Sequence, residues 1–174
     1  MIRWLTPGER ALADEAFGDS LALEPVRFLP SPWPFDRAFV PGRWFGRDWI
    51  VWPKRTLPTD IAAAPLCVQA TLIHELTHIW QAQQGVNLFT GKLRAGDRPA
   101  SYHYPVDVNG DWATLNIEQQ AMVVEHRFRL SRGETVPADA AFYDRVCPIG
   151  PRTGRGLQID EGQAAMPRAK PSPR

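Results

Sequence analysis

The chain has too little cysteine for a disulfide framework: of 174 residues only Cys67 and Cys147 are thiols, and they form no metal-type pair. It lacks an excess of charge of either sign. A formal net charge of +1, with basic residues scattered, offers no electrostatic footprint for nucleic acid. No apolar run approaches the ~18 residues that span a bilayer, so no membrane partner is expected. The amino terminus, Met1 to Arg10, becomes charged before an apolar stretch of signal-peptide length develops. These absences predict a soluble cytoplasmic chain; any export would need a specialised route. Histidine is scarce too, with four in the whole chain. Two of those four lie one helical turn apart.

They belong to Thr71-Leu72-Ile73-His74-Glu75-Leu76-Thr77-His78-Ile79-Trp80-Gln81. On a helix, positions i and i+4 share a face, so the two imidazoles can point at one ion. Glu75 lies about 100° round from His74, placed to reach a water on that ion but not to bind it as well. Zinc takes nitrogen ligands at roughly 2.0–2.1 Å in a tetrahedron, and a catalytic site leaves one position open. Leu72, Ile73, Leu76, Ile79 and Trp80 are apolar at helical spacing and predict a buried helix. A hydrogen-bonded core pair of histidines is the alternative reading. The intact glutamate argues for chemistry.

Seventeen prolines and seven tryptophans suggest a compact, loop-rich body rather than a helical bundle. Thr6-Pro7-Gly8-Glu9 is a helix start, with a threonine cap, proline at the first turn and glutamate three residues after the cap. That helix should stop at Gly18. Short strands are expected at Pro25 to Pro30, Ala38 to Val40 and Trp49 to Trp52. Pro65 should open the central helix, with Cys67 a free thiol buried in it, and Gly85 should close it. Val86 to Asp111, punctuated by glycine and proline, reads as a long irregular segment. A further helix is expected from about Asn116 to Arg132, and a short one from Ala138 to Val146. The expected domain is 1–150. Residues 151–174 have no aromatic and five basic against two acidic residues, a local charge of +3, and read as a disordered tail.

Two histidines need a third protein ligand. No histidine follows at the metzincin spacing, because Ile79-Trp80-Gln81-Ala82-Gln83-Gln84 comes after His78. The candidates are Glu118, Glu125, His103, His126 and Asp107. Glu118 is preferred because it heads a second helix 40 residues after His78, although the helix dipole alone also favours a carboxylate there. Glu125 lies two turns further along nearly the same face. His126, beside Arg127 and Arg129, reads as a surface histidine. Tyr102, His103 and Tyr104 are the candidate oxyanion donors, with aromatic loop packing as their alternative. Gln81 either orients a ligand or faces solvent.

Leu72 to Gln81, followed by Ile117-Glu118-Gln119-Gln120-Ala121, together with Leu5 to Glu9 and Phe17-Gly18-Asp19, resembles the small bacterial proteins labelled "Vgr-related". That group is similar to the core metallopeptidase-like domain of extracellular contractile injection systems. Both are zincins of the glutamate-third-ligand (gluzincin) branch. The resemblance covers about residues 3 to 132. It implies His74 and His78 as zinc ligands, Glu118 as the third ligand, Glu75 as catalytic base, and Zn2+ as the cofactor. It also implies a peptide or protein substrate and an association with a secretion or injection apparatus. The expected fold is α+β: a small twisted antiparallel sheet packed on the metal-binding helix, with the Glu118 helix beside it. A sheet edge near the metal would hold an extended peptide by strand addition. The expected activity is zinc-dependent peptide-bond hydrolysis. The rival expectation is a catalytically silent, metal-stabilised module or effector of a type VI or contractile injection system.

Overall fold

A computed structural model describes residues 1–96, 98–107 and 110–150; the expected tail at 151–174 lies outside the described residues. The order is helix α1 (Pro7–Phe17), strands β1 (Val26–Ser31), β2 (Phe39–Trp44) and β3 (Arg47–Pro53), then helices α2 (Leu66–Gln83), α3 (Leu88–Ala95), α4 (Ile117–Ser131) and α5 (Ala140–Val146). The fold is α+β, as the sequence predicts. Among the described residues no helix is long and apolar enough to cross a membrane.

α1 starts as expected, with the Thr6 side chain accepting from the Glu9 amide in a complete capping box. Glu9 is itself buried and ties three elements together. It accepts two hydrogen bonds of 2.7 Å from Arg3 and one of 3.0 Å from the Ile61 amide. A buried carboxylate held by a forked guanidinium and a backbone donor is a satisfied one.

The sheet is mixed, not antiparallel throughout. Its order is β1-β3-β2, with β1 parallel to β3 and β2 antiparallel to it. Composition explains the difference. β3 buries Asp48 through Pro53 in succession, the profile of a strand covered on both faces, and so it takes the middle. β2 contains Pro41 and Gly42, and its pairing shifts register between Phe39 and Gly42, which suits an edge. The two are joined at Phe45-Gly46, both at positive φ (54° and 70°), the two-residue hairpin geometry that matches strand twist.

Two further expectations are corrected. Cys67 is exposed, on the solvent side of the first turn of α2, whereas Cys147 is buried. The segment expected to be irregular carries α3, capped by Asn87 and closed at Gly96, and a 3-10 turn at Pro99–Tyr102. Gly91 is not a helix breaker here. A β-carbon at that position would come 2.8 Å from the Ile117 side chain, so the glycine lets α3 lie close on the start of α4.

α2 is the central element. It buries Ala70, Leu72, Ile73, Leu76 and Ile79 among its apolar positions and packs against α4, the sheet and α1. Its last turn is fixed by Gln83, which exchanges two hydrogen bonds with the Ala22 backbone and donates to Asp48 at 2.8 Å.

Candidate metal centre

α4 begins with Asn116, whose side chain accepts from the Glu118 and Gln119 amides. This cap sets Glu118 in the first turn, pointing at α2. Glu118, Ala121 and Glu125 recur at helical spacing and are all buried. Opposite them stand His74 and His78. Glu118 Oε2 lies 3.3 Å from His74 Nε2 and 3.2 Å from His78 Nε2. All three candidate ligand atoms fall within 4.8 Å of one another. A tetrahedral ion with bonds of about 2.0–2.1 Å holds its ligand atoms about 3.3–3.4 Å apart, close to the two measured separations. The side chains are 12 %, 1 % and 7 % exposed for His74, His78 and Glu118, so the cluster opens to solvent mainly past His74.

Both imidazoles are held from behind. Gln81 is fully buried; its amide nitrogen donates to the Ile117 carbonyl and to Gln120 Oε1, each at 2.9 Å. Its oxygen therefore faces His78 Nδ1, 2.8 Å away, and takes that nitrogen's proton in hydrogen bond. In the neutral tautomer that a metal requires, the Nε2 lone pair of His78 is aimed at a carboxylate oxygen. Two acceptors that meet in this way call for a cation between them. On the other ring, His74 Nδ1 lies 3.2 Å from Glu125 Oε2, and Glu125 is gripped in turn by Arg129 Nε at 2.9 Å. Backing of each ligand imidazole by a carboxylate or amide is how metal-binding histidines are fixed in tautomer and direction. The donor set and its supports fit zinc.

Electrostatics agree. Burial acts to lower the His74 pKa, but hydrogen bonds to Glu118 and Glu125 outweigh it and carry it up to about 10. Burial acts to raise Glu118, yet the two imidazoles hold its carboxyl well below the usual range. Glu125 is lowered as well, burial being overcome by His74 and then Arg129. Glu75 is buried with Oε2 lacking any hydrogen-bond partner. An unsatisfied buried carboxylate oxygen is costly to maintain and calls for an explanation, of which a catalytic role is one.

The chain matches no protein-family model. It is 33 % identical to the type VI secretion system spike protein VgrG2b of Pseudomonas aeruginosa over 153 residues, which cover 79 % of this chain but 14 % of that protein. Its structure is similar to that of the effector domain of VgrG2b, with a TM-score of 0.62, 30 % identity and 75 % of each chain covered. The chain belongs to the VgrG2b effector-domain family.

In this VgrG2b-type domain two cavities flank His74, Glu75 and Tyr102. One, of about 230 Å³, reaches from Arg37 and Phe39 to Lys92 and Glu118. The other, of about 450 Å³, extends past Trp52, Pro53 and Met122. Of the three aromatic loop candidates, Tyr102 lines both cavities, its ring 6.4 Å from that of His74. His103 is exposed, with Nδ1 bonded to the Pro99 carbonyl. The Tyr104 hydroxyl is bonded to His126 Nδ1 at 2.6 Å and to the Tyr143 hydroxyl at 2.8 Å, away from the cleft. His126 is thus half-buried in a polar network with Tyr104, not a bare surface histidine. Asp107 lies outside the cluster, its carbonyl accepting from Arg145.

Glu125 and Gln81 carry more of the centre than their sequence context suggests. Gln81 sits one turn beyond His78 on the same face, and Glu125 seven residues beyond Glu118 on the same stripe. Those spacings were the available signal.

These pKa directions set a pH dependence for the metal-free chain. The His74 value is raised from 6.5 to about 10, so its stabilisation is complete below pH 6.5 and disappears as pH rises towards 10. Glu118 and Glu125 are lowered from 4.5, so theirs is present above pH 4.5 and lost on acidification. The apoprotein Tm should therefore be highest between about pH 4.5 and 6.5 and fall towards pH 10. Zinc needs the imidazole neutral and binds more tightly as pH rises. Calorimetry of the two forms should show their Tm values diverging above pH 6.5. Parallel curves would contradict the assignment of the cluster as a metal centre.

Proposed function

We propose that this domain is a zinc-dependent peptide hydrolase that acts as an effector of a type VI secretion spike. The observation that carries the reading is the unpartnered carboxylate oxygen of Glu75, buried at the mouth of a cleft beside three convergent ligands. A domain that kept zinc for folding alone would have no use for it. The effector role is supported by the likeness to the effector domain of VgrG2b.

His74, His78 and Glu118 would hold the ion. Bound there, zinc supplies a Lewis acid for the scissile carbonyl and lowers the pKa of a water. Glu75 takes the proton of the attacking water and delivers it to the leaving amine. Tyr102, half-exposed on the cleft wall, donates to the carbonyl oxygen as negative charge develops on it. Gln81 and Glu125 keep the two rings turned inward. The edge strand β2, whose Phe39 lines the smaller cavity, aligns an extended peptide through backbone hydrogen bonds.

The test is direct. The purified chain, loaded with zinc, is incubated with casein and a mixed peptide library. Cleavage that stops with a chelator and returns with zinc is expected. A zinc-loaded, folded chain that cleaves nothing would instead favour the silent metal-stabilised module.

A further inference from the structure

The two cavities beside the metal centre differ in charge. The larger one carries Asp36, Glu75 and Glu125 beside Arg37 in its lining, and Glu125 is already tied to Arg129 and His74. In the smaller one the acidic residues are Glu75 and Glu118, both belonging to the centre itself. A divalent ion offsets those two charges. That leaves Arg37, from the connection between β1 and β2, and Lys92, from α3, as two positive charges on the walls of one small recess. Among the described residues neither is within ion-pairing distance of a carboxylate. Lys92 is half-buried, and attraction between charges grows as water is excluded. Gly96, exposed at the end of α3, lines the same recess.

We propose that this recess reads a carboxylate on the substrate, next to the bond that is cut, and that Arg37 and Lys92 are the residues that recognise it. The inference rests on the hydrolase reading above and names its substrate class. An arginine engages a carboxylate through a planar fork and a lysine through a point charge, so the pair tolerates some variation in where the carboxylate sits. The carboxylate is either an Asp or Glu side chain or the free end of a peptide. The other cavity sets Trp52, Pro53 and Met122 beside its own charged residues and has no lysine in its lining.

The experiment uses the zinc-loaded full chain and fluorogenic peptides of one sequence. Glu, Gln or Lys is placed in turn at each position around the cleaved bond, with amidated or free C-termini. At one position Glu should exceed Gln in kcat/KM by about tenfold, with Lys poorer still. In Lys92→Glu and Arg37→Glu that Glu-to-Gln ratio should fall to about one or invert, at unchanged zinc content. A gain seen only with free C-termini, and lost in the same variants, assigns the recess to a terminal carboxylate. Cleavage indifferent to charge at every position, or a preference that both variants keep, overturns the proposal. Where no peptide is cleaved, the hydrolase reading fails by itself, and the recess is then judged by binding. Anisotropy of the same labelled peptides should show tighter, salt-sensitive binding of the Glu peptide that Lys92→Glu abolishes. Equal binding of Glu and Gln peptides overturns it.

Discussion

Replacing Glu75 by glutamine should abolish peptide cleavage and leave zinc in place. The amide keeps the shape of the carboxylate but cannot accept the water's proton, and general-base assistance is typically worth about 10²- to 10⁴-fold in rate. Metal content should be unchanged because Glu75 is not one of the three convergent ligands. Stability should hold or rise slightly. The wild-type carboxylate is buried with one oxygen unpartnered, and a neutral amide is easier to bury. Measured together, zinc stoichiometry, Tm and turnover give an inactive, fully loaded, folded protein. The same substitution should restore growth where the wild-type chain harms a cell in which it is produced. Cleavage at the wild-type rate in Glu75→Gln would remove Glu75 from the chemistry.

Glu118→Ala should act in the opposite way: the metal goes first, and activity goes with it. Two imidazoles alone do not hold a catalytic zinc. Glu125 is no substitute, because it addresses Nδ1 of His74, on the far side of the ring from Nε2. In the wild type, zinc at a hundredfold excess over its Kd should stabilise by about 2.7 kcal/mol, roughly 5–10 °C in Tm for a domain of this size. In Glu118→Ala that zinc-induced rise should vanish. The His74 pKa should fall as well, since burial would no longer be opposed by that carboxylate. NMR titration of the His74 ring would report it. A variant that still gains stability from zinc would show that another side chain completes the centre.

The sequence made the two helices of the candidate centre legible because their signals are local. Caps at Thr6 and Asn116, two histidines at i and i+4, and apolar residues at helical period all act within a few residues. The pairing of β1 was less legible. It depends on which strand is buried on both faces, a competition between β2 and β3 that neither settles alone. α3 was hidden by Gly91, whose role appears only when Ile117 is seen against it. Cys67 misled in the same way: an apolar neighbourhood in sequence does not say which face of a helix with half its residues buried meets solvent. The supports of the centre were the hardest to read. Gln81 and Glu125 are ordinary helix-surface residue types, and only the close approach of α2 to α4 turns them inward.

That approach has a mechanical result. The Gln81 amide joins the His78 ring to the first carbonyl of α4, the turn from which Glu118 projects. One side chain thus latches together the two turns that carry the candidate ligands. Loosening either turn breaks the latch and disengages both ligands at once. Zinc should therefore leave in a single event rather than ligand by ligand, and exchange slowly for as long as the latch is shut.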